Sequence, residues 1–370
     1  MAGDRDPRDH VAEMAGRFAA GGKVGEIEVF RRGHIHSSFR VTIGSGAEKR
    51  RILLQRVNDR VFTDPEAVDR NIRSITGHMR RAVRRQGGGA ERRVLELLAS
   101  ERGETTLRDP DGGWWRAYRF VENAVPADEV NEATVERAAW AYGDFQRLLI
   151  DYDGPPLSET IPGFHDTPRR LDALESAACA DPHGRLRQVR TDVERILDRR
   201  RLGATLADQC DLPVRIVHND AKLDNVLFDV ATGEALCVVD LDTVMPGFVG
   251  YDFGDMVRSM SVTGSEDEVE SEAAGVREEL FGAVVRGYLR AMGGTLTPAE
   301  IATLVSSGVV LTLEQAARFL TDHLVGDTYY RIERQDQNLD RTRAQLRLLE
   351  SLLATGPRLE AIVEREVRDR

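Results

Sequence analysis

The 370-residue chain has only three cysteines, Cys179, Cys210 and Cys237, an odd and scattered set. They exclude a disulfide framework, share no metal-ligand spacing and point to a reducing compartment. Basic residues are in deficit: 51 Lys and Arg stand against 62 Asp and Glu, a formal net charge of −11. That balance argues against nucleic acid as a partner, because phosphate backbones are bound by clustered Lys and Arg. No apolar run approaches the ~20 residues needed to cross a bilayer. Met1–His10 is charged and has no apolar stretch of signal-peptide length, so a cytoplasmic protein with no membrane partner is expected. No G-x-x-x-x-G-K-[S/T] occurs, which excludes the Walker type of nucleotide loop, and there is no strict G-x-G-x-x-G. Internal repeats and low-complexity tracts are absent too.

What is present is concentrated in residues 218–240. His218-Asn219-Asp220-Ala221-Lys222-Leu223-Asp224-Asn225 reads as H-x-D-x-x-x-x-N. Val226, Leu227 and Phe228 follow as a short apolar run, Ala231-Thr232-Gly233 reads as a turn, and Ala235 to Val239 form a second apolar run ending in Asp240. Cys237 on that run is expected to be a small core residue. This is the pattern of a kinase-type phosphoryl-transfer core. Such chemistry needs a carboxylate to orient the acceptor hydroxyl and accept its proton, and Asp220 fits. It needs hard oxygen ligands for the Mg²⁺ that travels with ATP, and Asn225 and Asp240 fit. The bland alternative, a surface loop with an Asx turn, would need several spaced features to coincide.

A literal Asp-Phe-Gly occurs at Asp252-Phe253-Gly254. It is cut off from the hairpin by Pro246 and Gly247, so Asp240 is the better metal residue. Gly250 to Asp255 is expected to open a helix through Met256, Val257 and Met260. Asp252 is then structural, bonding catalytic-loop amides or capping that helix.

The chain is expected to be α+β with a bilobal, protein-kinase-like fold, a small mixed β-sheet N-lobe and a larger, mainly helical C-lobe. Residues 1–121 are the nucleotide-binding lobe, 122–126 a hinge linker, and 127–370 the catalytic and acceptor-binding lobe. In the first lobe, His10 to Ala20 reads as a helix, and 27–30, 38–43, 51–56 and 114–121 as strands. Asp64-Pro65-Glu66 starts a helix through Val68, Ile72, Ile75 and Met79. In the second, helices are expected over 135–152, twice within 168–202, over 267–292, from the Thr297-Pro298-Ala299-Glu300 capping box toward Val310, and over 311–324 and 338–353. The acidic run Glu266 to Glu272 reads as a solvated helix start.

Nucleotide contacts are expected from Arg32 to Ser38, where Gly33 permits close backbone approach, Ile35 follows, and His34 sits at the loop tip. Phe120 and Val121 would wall the adenine, with Glu122 opening the linker. A kinase places a Lys on the third strand, paired with a helix Glu. Here that strand reads Leu53-Leu54-Gln55-Arg56, without Lys. Alternation puts Leu54 with Arg56 and Gln55 on the other face, which leaves open whether Arg56 or Gln55 serves. Glu66 is a possible partner.

The chain resembles the aminoglycoside phosphotransferase and choline kinase superfamily, and within it the N-acetylhexosamine 1-kinases. The resemblance runs through Gly33-His34-Ile35, Ile52 to Asn58, Val61 to Ala67, Thr160 to Pro168, Asp240 to Gly247, Arg318 to Asp322, and Gly326-Asp327 with Tyr329. It implies an ATP-dependent kinase acting on the anomeric hydroxyl of a free amino sugar such as N-acetylglucosamine or N-acetylgalactosamine. Asp220 would be the base and touch the sugar. His34, Arg318 and Tyr329 would bind it, with Phe164-His165-Asp166-Thr167 near the acceptor pocket and His165 among its contacts. For Arg318 the alternative is a salt bridge to Glu314, four residues earlier. Partners are then a sugar and ATP; a monomer is compatible, and nothing sets the oligomeric state. A second reading is an aminoglycoside kinase, with which the acidic net charge is compatible. A third is a pseudokinase binding module, supported only by the missing third-strand Lys.

Overall fold

The computed structural model describes residues 7–30, 35–206, 208, 211–262 and 275–370. They form two compact units. The first takes Met1–Ala124, Asp151–Ile161 and Val239–Val244, and the second takes Val125–Ile150, Pro162–Val238 and Met245–Arg370. The linear division had placed 151–161 and 239–244 with the later lobe.

The first unit contains α1 (Pro7–Arg17), β1 (Val24–Phe30), β2 (Ser37–Ile43), β3 (Arg50–Val57), α2 (Pro65–Arg85), β4 (Thr106–Arg108) and β5 (Trp114–Arg119). Its sheet runs β1-β2-β3-β5-β4 and is antiparallel throughout, where a mixed sheet was expected. Short turns join β2 to β3 and β4 to β5, and such connections reverse the chain. Three-residue β4 carries too short a pattern to read from sequence. Asp64 caps α2 by accepting from the Ala67 amide at 2.9 Å, with Pro65 in the first turn.

Alternation along β3 decides the faces. Ile52 and Leu54 are buried with Val41, Trp115, Met14 and Phe18, so this face packs on α1. Each such side chain contributes roughly 1.5–3 kcal/mol by leaving water. Gln55 lies on the other face. It pairs across the sheet with Ser38 and Arg116.

The chain enters the second unit within β6 (Ala124–Pro126). There follow α3 (Glu132–Arg147), α4 (Thr167–Ala180), α5 (Leu186–Leu197), α6 (Arg200–Gly203), β7 (Arg215–Val217), β8 (Val226–Asp229), β9 (Ala235–Val238) and β10 (Met245–Gly247). Then come α7 (Val249–Met260), α8 (Glu278–Met292), α9 (Pro298–Ala302), α10 (Leu304–Leu324) and α11 (Gln337–Arg368). Helices α3 and α8 approach so closely that a Cβ on Gly287 would lie 2.1 Å from the Glu136 carbonyl oxygen. Only glycine fits there.

The capping box at Thr297 forms as read, with reciprocal bonds to Glu300, but it starts the short α9, and α10 begins at Leu304. Helix α11 runs past Leu353 and through Pro357, because Leu359, Ile362 and Val363 continue its buried face. The acidic run 266–272 lies outside the described residues, as does Cys210. Cys179 is exposed, and Cys237 is buried on β9.

Candidate active site

Strand β7 pairs with β10, Val217 opposite Met245, and delivers His218 into a loop held by α7. The Asp252 carboxylate accepts from the His218 amide at 2.8 Å, the Asn219 amide at 2.7 Å and the Gln146 side chain at 2.7 Å. Asp252 is therefore the structural anchor of the loop, the role its position in a helix start implied. Asn219 lies in the left-handed region at φ 65°. The peptide joining Asn219 to Asp220 is gripped at both ends. Its N–H donates to His218 Nδ1 at 3.3 Å, and its carbonyl oxygen accepts from His165 Nε2 at 3.1 Å. A residue held in a sparsely populated conformation by surrounding bonds is common at functional positions.

Asp220 and Asn225 lie side by side. Asn225 Nδ2 donates to the Asp220 carboxylate at 2.8 Å and to its backbone oxygen at 2.9 Å. Lys222 Nζ lies 2.8 Å from the same carboxylate, while the Tyr142 hydroxyl holds the Lys222 carbonyl at 2.8 Å. Burial alone would push the Asp220 carboxyl up, but Lys222, with His218 and Asn225, holds it at about 2. It is ionised near neutrality and can accept a proton. Because Asn225 spends its amide nitrogen on Asp220, the atom it can offer a cation is Oδ1, a hard oxygen donor.

Asp240 lies in the first unit, also left-handed, at φ 61° and ψ 59°, just before a 3₁₀ turn over Leu241–Thr243. That turn is clamped to the sheet. Arg116 donates to both Asp242 oxygens, at 2.8 and 2.7 Å, and to Gln55 Oε1 at 3.0 and 2.9 Å. Gln55 in turn donates to Ser38 Oγ at 3.1 Å. Burial opposes both charges, yet the Asp242 carboxyl is held well below the usual carboxylate range by Arg116 and then His36. Asp242 and Asp240, against the pull of burial, raise the Arg116 guanidinium. Asn71 of α2 adds a second tie, donating to the Val244 carbonyl at 3.1 Å and the Ser158 carbonyl at 2.8 Å.

His36 Nδ1 accepts from the Asn58 amide at 3.1 Å, and Nε2 lies 3.3 Å from Asp242. Ligand atoms of His36, Asp240 and Asp242 lie within 4.8 Å of one another. Within that cluster Asp242 is committed to Arg116.

The segments expected near an acceptor gather in the second unit. Arg318 stacks over Phe164 at 4.7 Å, and over Tyr330 and Tyr329 at 5.8 and 6.0 Å. Its distance to Glu314 is 3.9 Å, because the Glu314 oxygens go to His165 Nδ1 at 2.8 Å and the Thr167 hydroxyl at 2.7 Å. Arg318 thus has both the aromatic surround and the i,i+4 ion pair with Glu314 that was the alternative reading. Buried Asp322 builds the Tyr329 loop, accepting from the amides of Thr328, Tyr329 and Tyr330 at 2.9, 2.8 and 3.0 Å. Arg170 donates to the Phe164 carbonyl, and both burial and Arg318 lower its pKa.

Of the remaining expected nucleotide and substrate residues, Gly33 and His34 lie outside the described residues. Ile35 is exposed. Phe120 meets Phe30 edge-on at 6.3 Å with Arg51 over its face at 5.2 Å, Val121 is buried, and Glu122 is ion-paired to Arg51. Arg56 is not brought to the Asp242 side of the sheet; its guanidinium lies against Gly113. Glu66 is exposed. The cation that reaches the Gln55 face is Arg116, whose role the sequence reading missed, along with those of His36, Asp242, Asn71 and Asp322; Glu314 was read only as an ion-pair partner for Arg318. The signal available was a charged residue inside an apolar strand or helix, as in Trp115-Arg116-Ala117.

A kinase-like antiparallel sheet, a helical remainder and an anchored Asp–Asn loop define a protein-kinase-like phosphotransferase. The chain belongs to the phosphotransferase enzyme family, whose sequence pattern matches residues 26–297. As a member of that family it is a phosphotransferase. Similar solved structures include a choline kinase from Cryptosporidium parvum, at 14% identity, TM-score 0.61 and 94% and 97% coverage of the two chains. An aminoglycoside phosphotransferase from Alicyclobacillus acidocaldarius matches at 12% identity and TM-score 0.61, covering 99% and 98%. A microcompartment-associated aminopropanol kinase matches at 13% and 0.57, covering 95% and 98%. At these identities the likeness is one of fold. Among the described residues, no helix is long and apolar enough to cross a membrane.

Proposed function

We propose that this kinase transfers the γ-phosphoryl group of ATP to the anomeric hydroxyl of an N-acetylhexosamine or a closely related neutral sugar, in the cytoplasm. The reading rests on the sequence strings shared with the sugar 1-kinases. The observation that carries it is the charge around Arg318. Two guanidiniums, Arg318 and Arg170, share the Phe164 neighbourhood, and the nearby carboxylate, Glu314, is taken by His165 and Thr167. An ammonium-bearing acceptor such as an aminoglycoside would meet two cations there. A neutral acetamido sugar offers hydroxyl and carbonyl oxygens to the guanidinium and a C–H face to the tyrosines.

In this reading Asp220 accepts the proton of the acceptor hydroxyl as that oxygen forms its bond to the γ-phosphorus and the bond to the β-phosphate oxygen breaks. Lys222 and Asn225 keep Asp220 ionised and aimed. Asn225 Oδ1 and the Asp240 carboxylate are assigned to Mg²⁺; both are hard oxygen donors of the kind that ion takes. When bound, Mg²⁺ offsets the charge that builds on the phosphate oxygens. Ile35, Phe120, Val121 and Glu122 remain the proposed nucleotide contacts, and His34 and Tyr329 proposed sugar contacts beside Arg318.

The test incubates the protein with Mg-ATP and a panel of free hexosamines, hexoses and aminoglycosides, and reads products by phosphorus NMR. A phosphate on the anomeric carbon supports the proposal. A phosphate on an antibiotic ring hydroxyl contradicts it, and no product with any acceptor points to a binding module.

A further inference from the structure

His165 was read from the sequence as a substrate contact, yet it has no nitrogen left for one. Its side chain is 4% exposed, Nδ1 lies 2.8 Å from Glu314 Oε1, and Nε2 lies 3.1 Å from the Asn219 carbonyl oxygen. A carbonyl oxygen can only accept, so Nε2 carries a hydrogen. Glu314 already accepts from the Thr167 hydroxyl at 2.7 Å, and His165 holds its carboxyl low against burial. An ionised carboxylate also only accepts, so Nδ1 carries a hydrogen as well. The ring is a doubly protonated bridge with one N–H to α10 and the other to the peptide preceding Asp220.

The position of that peptide gives the bridge its meaning. Its opposite end is fixed by His218 Nδ1, and the preceding amides are fixed by Asp252. His165 therefore holds the carbonyl end of the Asn219–Asp220 peptide, beside the bonds that Asn225 and Lys222 make to Asp220. The same α10 carries Arg318 one turn after Glu314, and the loop bearing His165 carries Phe164, which lies under Arg318 at 4.7 Å. We propose that the His165–Glu314 pair is a positioning device that fixes the direction of the Asp220 carboxylate and ties it to the Arg318 neighbourhood. The kinetic arm of its test rests on the phosphotransferase reading; the spectroscopic arm does not.

The first measurement is a long-range nitrogen–proton spectrum of the histidine rings in the full wild-type chain, with His165 assigned by His165→Gln. Hydrogens on both His165 nitrogens are expected at neutral pH. A bare Nδ1 or Nε2 would overturn the bridge. The second compares steady-state kinetics of wild type, His165→Gln, the near-isosteric Glu314→Gln and the double variant, with ATP binding measured directly. Misaiming a general base by about an ångström costs on the order of 100-fold. Each single variant is expected to lose about that much in kcat, with ATP affinity unchanged. The double variant should be no worse than either, since the two act as one unit. Three results would each overturn the proposal: loss confined to the acceptor KM, losses that multiply in the double variant, or full kcat in either single variant. If the products panel shows no phosphotransfer at all, the functional reading fails while the ring spectrum still judges the bridge.

Discussion

Arg116→Met removes the cation from a pair in which Arg116 is 2% and Asp242 1% exposed. Four hydrogen bonds are lost, two to Asp242 and two to Gln55. His36 Nε2 stays 3.3 Å from Asp242, with the Asp240 carboxylate in the same cluster. Breaking one side of a buried pair leaves an uncompensated charge and costs about 3–5 kcal/mol. Against a typical total of about 5–15 kcal/mol for a folded domain, that is a large share. Removing both charges in Arg116→Met/Asp242→Leu should return most of it, leaving about 1–2 kcal/mol for the orphaned Gln55 oxygen and altered packing. The coupling in the cycle should therefore be at least about 3 kcal/mol. Urea denaturation read by tryptophan fluorescence suits the test, because Trp114 and Trp115 immediately precede the substitution on β5.

The pH dependence supplies an independent check. In the wild type Asp242 is depressed below its unfolded value of 3.8, so its contribution is present above that value and lost as pH falls below it. In Arg116→Met the largest influence opposing burial is gone, and His36 is the next. The folded-state carboxyl rises, and the Asp242 contribution becomes more favourable as pH is lowered toward 4. A single variant within about 1 kcal/mol of wild type, or a double variant as unstable as the sum of the singles, would refute the reasoning.

Lys222→Met removes the strongest influence holding the Asp220 carboxyl at about 2, so the acid limb of kcat/KM should move to higher pH; an unchanged limb would detach Asp220 from the rate. Asp252→Asn puts an amide nitrogen where one of three donors now finds an oxygen. It should cost about 2–4 kcal/mol in urea denaturation, and a loss under about 0.5 kcal/mol would show that the loop is anchored elsewhere.

What the sequence made legible was local. Asp220, Asn225, the hairpin β8–β9 and Asp240 fall within 21 residues, so their spacing is itself a pattern. The dismissal of Asp252-Phe253-Gly254 as a metal motif also came from spacing, and Asp252 indeed bonds the loop amides. The illegible parts are pairs whose members lie far apart. Arg116 and Asp242 are 126 positions apart, His165 and Glu314 149, and Asn71 and Val244 173. No periodicity links such residues, and a lone Arg in a strand or Glu in a helix reads as solvated until its partner is seen. The face of Arg56 was undecided for a related reason. Alternation pairs it with Leu54, but only the packing of α1 on Leu54 shows which side is which.

The central claim is that Asp220 is the base of a phosphoryl transfer to a hydroxyl, and the most direct measurement is single-turnover transfer from Mg-ATP by Asp220→Asn. The account predicts a folded protein that binds ATP as tightly as wild type and transfers phosphate at least about 100-fold more slowly. Transfer at the wild-type rate by that variant would contradict it.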